Sequence, residues 1–132
     1  MTQERLTPID AQTFWLAGKI PNDTFLLFGF DGVPADVART LDGLAARART
    51  SPELSVRVAD DGSWGYPTWV PRDVDLSQFV VHDLDDRTWA GCLAAVGALV
   101  DEQLDATETA WRLHVFTGVD GVPGVTLSLI HI

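Results

Sequence analysis

Hydrophobic spacing changes several times along the chain. Asp10 to Ala17 carries Phe14 and Trp15 close after Pro8 and Ile9, with Gly18 as a stop signal, and predicts a short helix. The run Thr24-Phe25-Leu26-Leu27-Phe28-Gly29-Phe30 is apolar on both alternating faces, which predicts a strand buried on both sides. Asp31-Gly32 then marks a turn. From Pro34 to about Arg49 the period becomes helical, with Val37, Leu41, Leu44, Ala45 and Ala48 on one face. Asp36 complements the positive start of that helix, and Arg47 and Arg49 its negative end. Ser51-Pro52 breaks it.

Alternation returns at Leu54, Val56 and Val58, which predicts a half-buried strand. Asp60-Asp61-Gly62 turns the chain into a hairpin partner over Trp64 to Val70, interrupted by Pro67. Pro71 to Asp75 reads as a loop, and Phe79-Val80-Val81 as a short strand. Asp85 and Asp86 are placed to cap a second long helix, from about Arg87 to Leu104. Trp89, Leu93, Val96, Val100 and Leu104 form its predicted apolar stripe. Its glycines, Gly91 and Gly97, each cost about 1 kcal/mol against alanine, which makes sense if the helix lies close against a sheet. Trp111, Leu113 and Val115 mark a further strand, and Val125 to Ile132 a last one after Asp120-Gly121-Val122-Pro123-Gly124. Helices interleave with strands, so the fold class is α/β or α+β, a mixed sheet with helices packed on it.

Composition narrows the function. The 132 residues suit one domain with a packed core. The net charge of −10 disfavours the phosphate contacts of nucleic-acid binding and adhesion to anionic lipid through a basic patch. Binding lipid or CoA in a local pocket is compatible with it. The polar start Met1 to Arg5 has no signal-peptide core, and the apolar stretch Trp89 to Val100 is too short to span a bilayer. Cys92 is the lone cysteine, so no internal disulfide forms. A cytoplasmic location follows as the default.

Candidate chemistry is sparse. His82, His114 and His131 share no metal-ligand spacing with each other or with Cys92. His114 is expected on the less buried face of its strand and His82 near a loop. Asp60-Asp61 and Asp85-Asp86 read as turns and caps rather than cation ligands. Cys92, on a small-residue helix face, reads as an inert buried thiol. The five tryptophans read as core and sheet packing. No nucleophile elbow, phosphate loop or dinucleotide fingerprint is present.

Two segments carry a resemblance. Arg5-Leu6-Thr7-Pro8-Ile9-Asp10-Ala11, followed by Phe14-Trp15-Leu16, resembles the opening of the bacterial wax ester synthase/diacylglycerol acyltransferase family, typically Leu-Ser/Thr-Pro-x-Asp-Ala leading into aromatics. Leu104-Asp105 and Trp111-Arg112-Leu113-His114-Val115-Phe116-Thr117-Gly118-Val119 are similar to its later Leu-Asp … Pro-Leu-Trp … His-x-Ile-x-Gly segment. Thr109-Ala110 stand where the family has Pro-Leu, and Phe79 where it often has a His, as in a divergent actinobacterial-type branch. The resemblance implies the amino-terminal half of a CoA-dependent acyltransferase-like two-layer sandwich. It implies transfer of an acyl group from acyl-CoA, a co-substrate rather than a bound cofactor, to diacylglycerol or a fatty alcohol. Triacylglycerol or wax ester would result, with peripheral association at a membrane or lipid droplet. Condensation-type and polyketide-associated acyltransferases share that architecture. A non-catalytic lipid- or partner-binding truncated paralogue is the alternative.

In that family the last strand leads into His-His-x-x-x-Asp-Gly, whose second His acts as general base on the acceptor hydroxyl. His131 falls at or just before the first His, and no residue follows Ile132. The expectation is therefore an inactive fragment, residues 1–132, cut before its chemistry, with no catalytic and no metal residue assigned and no cofactor-binding residue known. Two origins stay open for Leu127-Ser128-Leu129-Ile130-His131-Ile132. It suits a genuine strand, and it equals the translation of the sequencing-library transposon end CTG TCT CTT ATA CAC ATC. The terminal position of the full match favours the second.

Overall fold

The computed structural model describes residues 4–31, 35–60, 62, 65–117 and 125–131. Among the described residues, seven strands and three α-helices follow in the order β1 (Glu4–Arg5), α1 (Pro8–Ala17), β2 (Phe25–Asp31), α2 (Val37–Arg49), β3 (Val56–Ala59), β4 (Thr68–Pro71), β5 (Phe79–His82), α3 (Trp89–Val100), β6 (Arg112–Thr117) and β7 (Val125–His131). Single 3₁₀ turns span Pro52–Leu54 and Leu76–Gln78. The class is α/β, as expected, but the strands divide between two sheets. One is antiparallel, in the order β1-β4-β3; the other is mixed, in the order β2-β7-β6-β5.

Local chemistry explains most of these boundaries. Thr7 caps α1, its hydroxyl accepting from the Asp10 amide at 3.2 Å, with Pro8 as first helical residue. Asp36 caps α2 by accepting from the Arg39 amide at 3.1 Å. The helix therefore starts at Val37, and Pro34 lies outside the described residues. Leu41, Ala45 and Ala48 are its buried face, while Leu44 stays exposed. The β3–β4 hairpin turns where Asp60 accepts from the Gly62 amide at 3.1 Å, and Gly62 adopts φ +73°, a conformation that favours glycine. Pro67 ends the interruption; its carbonyl accepts the Leu6 amide at 3.0 Å.

Three expectations fail. First, β2 is apolar on both faces, yet among the described residues it is an edge strand paired only with β7, and Leu26, Leu27 and Phe28 remain 40–44% exposed. Second, α3 is capped by Thr88, not by Asp85 or Asp86. Asp86 acts one step removed: its carboxylate accepts from the Thr88 hydroxyl and amide, and these bonds hold its pKa below the ordinary carboxylate value. The helix stops at Val100, and Leu104 is instead tied back by its amide to Asp23 at 2.6 Å. Third, α3 buries Cys92 and Leu99 and leaves Trp89, Leu93 and Val100 exposed. A helix apolar all round offers no contrast from which its inner face can be read.

The core forms three clusters. Cys92, Leu99 and Phe116 pack with Phe25, Leu84, Ala95 and Val96. Leu6, Ala11 and Val58 pack with Phe14 and Trp69 between α1 and the antiparallel sheet. Ala45, Ala48 and Val74 pack with Phe79 and Trp111. Phe116 is fully buried, worth about 1.5–3 kcal/mol against an exposed ring.

The two glycines of α3 differ in a way that can be measured. A Cβ on Gly91 would collide with the Asp86 carbonyl oxygen and sit 2.6 Å from Asp86 Cγ, whereas nothing lies within 4 Å of one on Gly97. The close approach is thus to the preceding loop, not to a sheet. Gly91→Ala is expected to destabilise the fold by about 1–3 kcal/mol and Gly97→Ala to stabilise it by up to about 1 kcal/mol, read from urea denaturation.

Candidate functional site

Alternation along the paired strands sorts the candidate residues onto two faces of the mixed sheet. β5 and β6 run parallel, with Phe79 beside Leu113, Val80 beside His114, Val81 beside Val115 and His82 beside Phe116. Phe79 and Leu113 belong to one face, and His82, His114 and Phe116 to the other.

The first face opens into a cleft of about 900 Å³ between the two sheets. Leu44 and Ala48 of α2, Leu54, Val56, Trp69, Phe79, Trp111 and Leu113 give it an apolar lining, and Glu4 and Glu53 are its charged residues. Trp111 is fixed on both sides. Its indole N–H donates to the Leu54 carbonyl at 2.9 Å, and its ring meets Phe79 edge-on at 5.5 Å. Gln78 sets the spacing beneath. This buried amide donates to the Trp111 carbonyl at 3.1 Å and accepts from Arg72 at 2.9 Å and the Asp75 amide at 3.0 Å. The register of β7 places Ile130 opposite Leu113 and His131 opposite Arg112. The carboxyl end of β7 therefore lies at the cleft end of β6. The side chain of His131 lies outside the described residues.

The second face holds the histidines, against expectation. His114 is only 2% exposed rather than on a less buried face. His82 is the last residue of β5, and its Nε2 lies 2.9 Å from His114 Nδ1 while its ring stacks on Phe116 at 4.6 Å. The pairing was hidden because parallel neighbours are far apart in sequence, here on either side of α3. Desolvation pushes the His82 pKa below the ordinary histidine value, against a weaker upward pull from Glu102. The pair sits across the sheet from the cleft, so it cannot serve as a base there.

Cys92 is buried in the same region as Phe116, and burial pushes its thiol pKa up, which fits an inert thiol. Among the described residues, no three histidine, cysteine, aspartate or glutamate side chains converge as metal ligands, and no helix is long and apolar enough to cross a membrane. The tryptophans only partly enter the core. Trp15 and Trp89 are 48% and 43% exposed, Trp15 stacking on Tyr66 at 5.5 Å, and Trp64 lies outside the described residues.

No protein-family model and no curated sequence matches the chain. Solved structures do. Wax ester synthase/diacylglycerol acyltransferase from Marinobacter aquaeolei VT8 superposes with a TM-score of 0.71 at 20% identity, over 97% of this chain and 33% of that one. The first condensation domain of the calcium-dependent antibiotic synthetase gives 0.73 at 16% identity, over 100% and 32%. The condensation domain of the Monacolin K polyketide synthase MokA gives 0.72 at 18%, over 99% and 30%. The chain has the fold of the condensation-type acyltransferases and spans about a third of the length of these structures.

Gln78→Leu is expected to cost about 2–4 kcal/mol in urea denaturation, because Trp111, Arg72 and Asp75 lose one buried partner together.

Proposed function

We propose that the chain is the amino-terminal part of an O-acyltransferase of the wax ester synthase/diacylglycerol acyltransferase type, and that its apolar cleft receives the acyl chain. The observation that carries this reading is the cleft itself: an alkyl-sized, aromatic-walled cavity at the sheet end to which β7 leads, in a fold shared with acyl-transferring enzymes.

The chemistry divides accordingly. An acyl chain gains from apolar walls, at about 25 cal/mol per Å² of surface removed from water. Glu4 and Glu53 oppose the phosphates of CoA, so the thioester head would lie away from them, towards the end of β7. A general base there would be supplied by residues following β7, since the described histidines lie across the sheet. The parent enzyme would use acyl-CoA as co-substrate and diacylglycerol or a fatty alcohol as acceptor, from the cytoplasm or at a lipid surface.

The condensation domains superpose equally well, so condensation-type acyl transfer is the competing reading, with an amine taken as its test acceptor. A non-catalytic lipid-binding module is the other.

Acyl transfer from radiolabelled acyl-CoA separates them. The isolated chain is expected to give no turnover, and the complete polypeptide encoded by the gene to esterify an alcohol in preference to an amine. Amine transfer would favour the condensation reading, and chain binding without any transfer the module. In a fluorescent fatty-acyl binding assay, Leu113→Arg should weaken binding at least tenfold and Leu93→Arg, on the outer face of α3, should leave it unchanged.

A further inference from the structure

Two cavities follow one another along a single face of the antiparallel sheet. Val56 is paired with Pro71, Val58 with Trp69, and Trp69 with Glu4, so these residues share that face. Val56 and Pro71 line the apolar cleft, and Val58 lines a second cavity of about 680 Å³. Trp69 lines both. The segment after α3 repeats the order: Ala106 and Thr107 border the second cavity, Trp111 the cleft, and Ala110 both.

The two compartments differ in chemistry. Asp10, Asp23, Asp60 and Asp105 border the second cavity, and among the described residues no lysine or arginine lines it. An alkyl chain entering it would strip water from carboxylates, a cost that burying a methyl group does not offset. The boundary is anchored on both sides. The Val58 amide donates to the Ala106 carbonyl at 2.8 Å, and the Trp111 indole to the Leu54 carbonyl at 2.9 Å. Half-buried Trp69 packs against the cluster of Leu6, Ala11 and Val58.

We propose that Trp69, together with Ala110, is the end wall of the acyl cleft and sets the longest chain that the cleft accepts. This rests on the reading of the cleft as an acyl site. That reading directs the thioester head towards the end of β7, so the terminal methyl points to the end where Glu4 pairs with Trp69. An apolar chain then gains wall contact until it meets the indole, and beyond the indole lies only the acidic cavity.

Competition against a fluorescent acyl probe on the 132-residue chain tests this, with saturated acyl thioesters of N-acetylcysteamine of increasing length. In the unaltered chain each added methylene should tighten binding about fourfold up to a limiting length, after which affinity stops rising. Trp69→Leu should move that limit to longer chains by about two methylenes or more, and Ala110→Leu should move it to shorter ones by about one. The opposite directions separate a moved wall from a loosened fold. A chain ending in trimethylammonium reads the compartment behind the wall. Its affinity relative to the methyl-ended chain should rise about tenfold or more in Trp69→Leu, because the carboxylates come within reach. No binding of any chain to the unaltered protein would overturn the acyl reading and the wall with it. Binding with a limit that neither substitution moves, a shift of both in one direction, or no gain for the ammonium end would overturn the wall alone.

Discussion

Everything in this fold is arranged around burying β6 on both faces. Its successive residues His114, Val115 and Phe116 are all buried, which an alternating half-exposed strand cannot achieve. Two layers are needed to do it. Cys92 and Leu99 of α3 cover Phe116 on one side. On the other, α2 brings Ala45 and Ala48 against Phe79 and Trp111 at the start of β5 and β6. A parallel β5–β6 pair also requires a crossover, and α3 with the following segment supplies it. That segment is held by Leu104 to Asp23 and by the Val58 amide to the Ala106 carbonyl at 2.8 Å. The crossover thus joins the two sheets and leaves the cleft between them.

What the sequence reveals follows the reach of its signals. Turns are local, so the Asp60–Gly62 turn falls where residue chemistry predicts it, whereas Thr7 and Asp36 cap helices that start at Pro8 and Val37 rather than at Asp10 and Pro34. The alternation of β3 is also legible, whereas that of β6 misleads, because His114 and Phe116 are buried as fully as Val115. Trp89 to Val100 is legible as a helix but not as a face, since apolar residues surround it and Cys92 rather than Leu93 turns inward. β2 reads as central because both its faces are apolar; only strand order reveals it as an edge. The cleft is assembled from α2, β3, β4, β5 and β6, and no periodicity in one segment announces it. The histidine pair depends on the β5–β6 register and is invisible for the same reason.

Family resemblance and physical reading meet at β7. The strand pairs along its length with both β2 and β6, as an apolar, sheet-forming sequence does whatever its origin. Its carboxyl end lies at the cleft end of β6, whereas His82 and His114 are on the opposite face. Binding and catalysis are therefore separable in this reading. Under the proposed function, the described residues would wall an acyl chain, and the proton-transfer chemistry would belong to residues that follow β7.

Photoaffinity mapping tests that division most directly. A long-chain acyl probe with a diazirine near its terminal methyl, bound to the chain, cross-linked and mapped by peptide mass spectrometry, should label Leu44, Phe79, Trp111 or Leu113. Labelling confined to the outer face of α3 at Trp89, Leu93 and Val100, or none that excess unlabelled acyl chain displaces, would contradict an acyl-binding cleft.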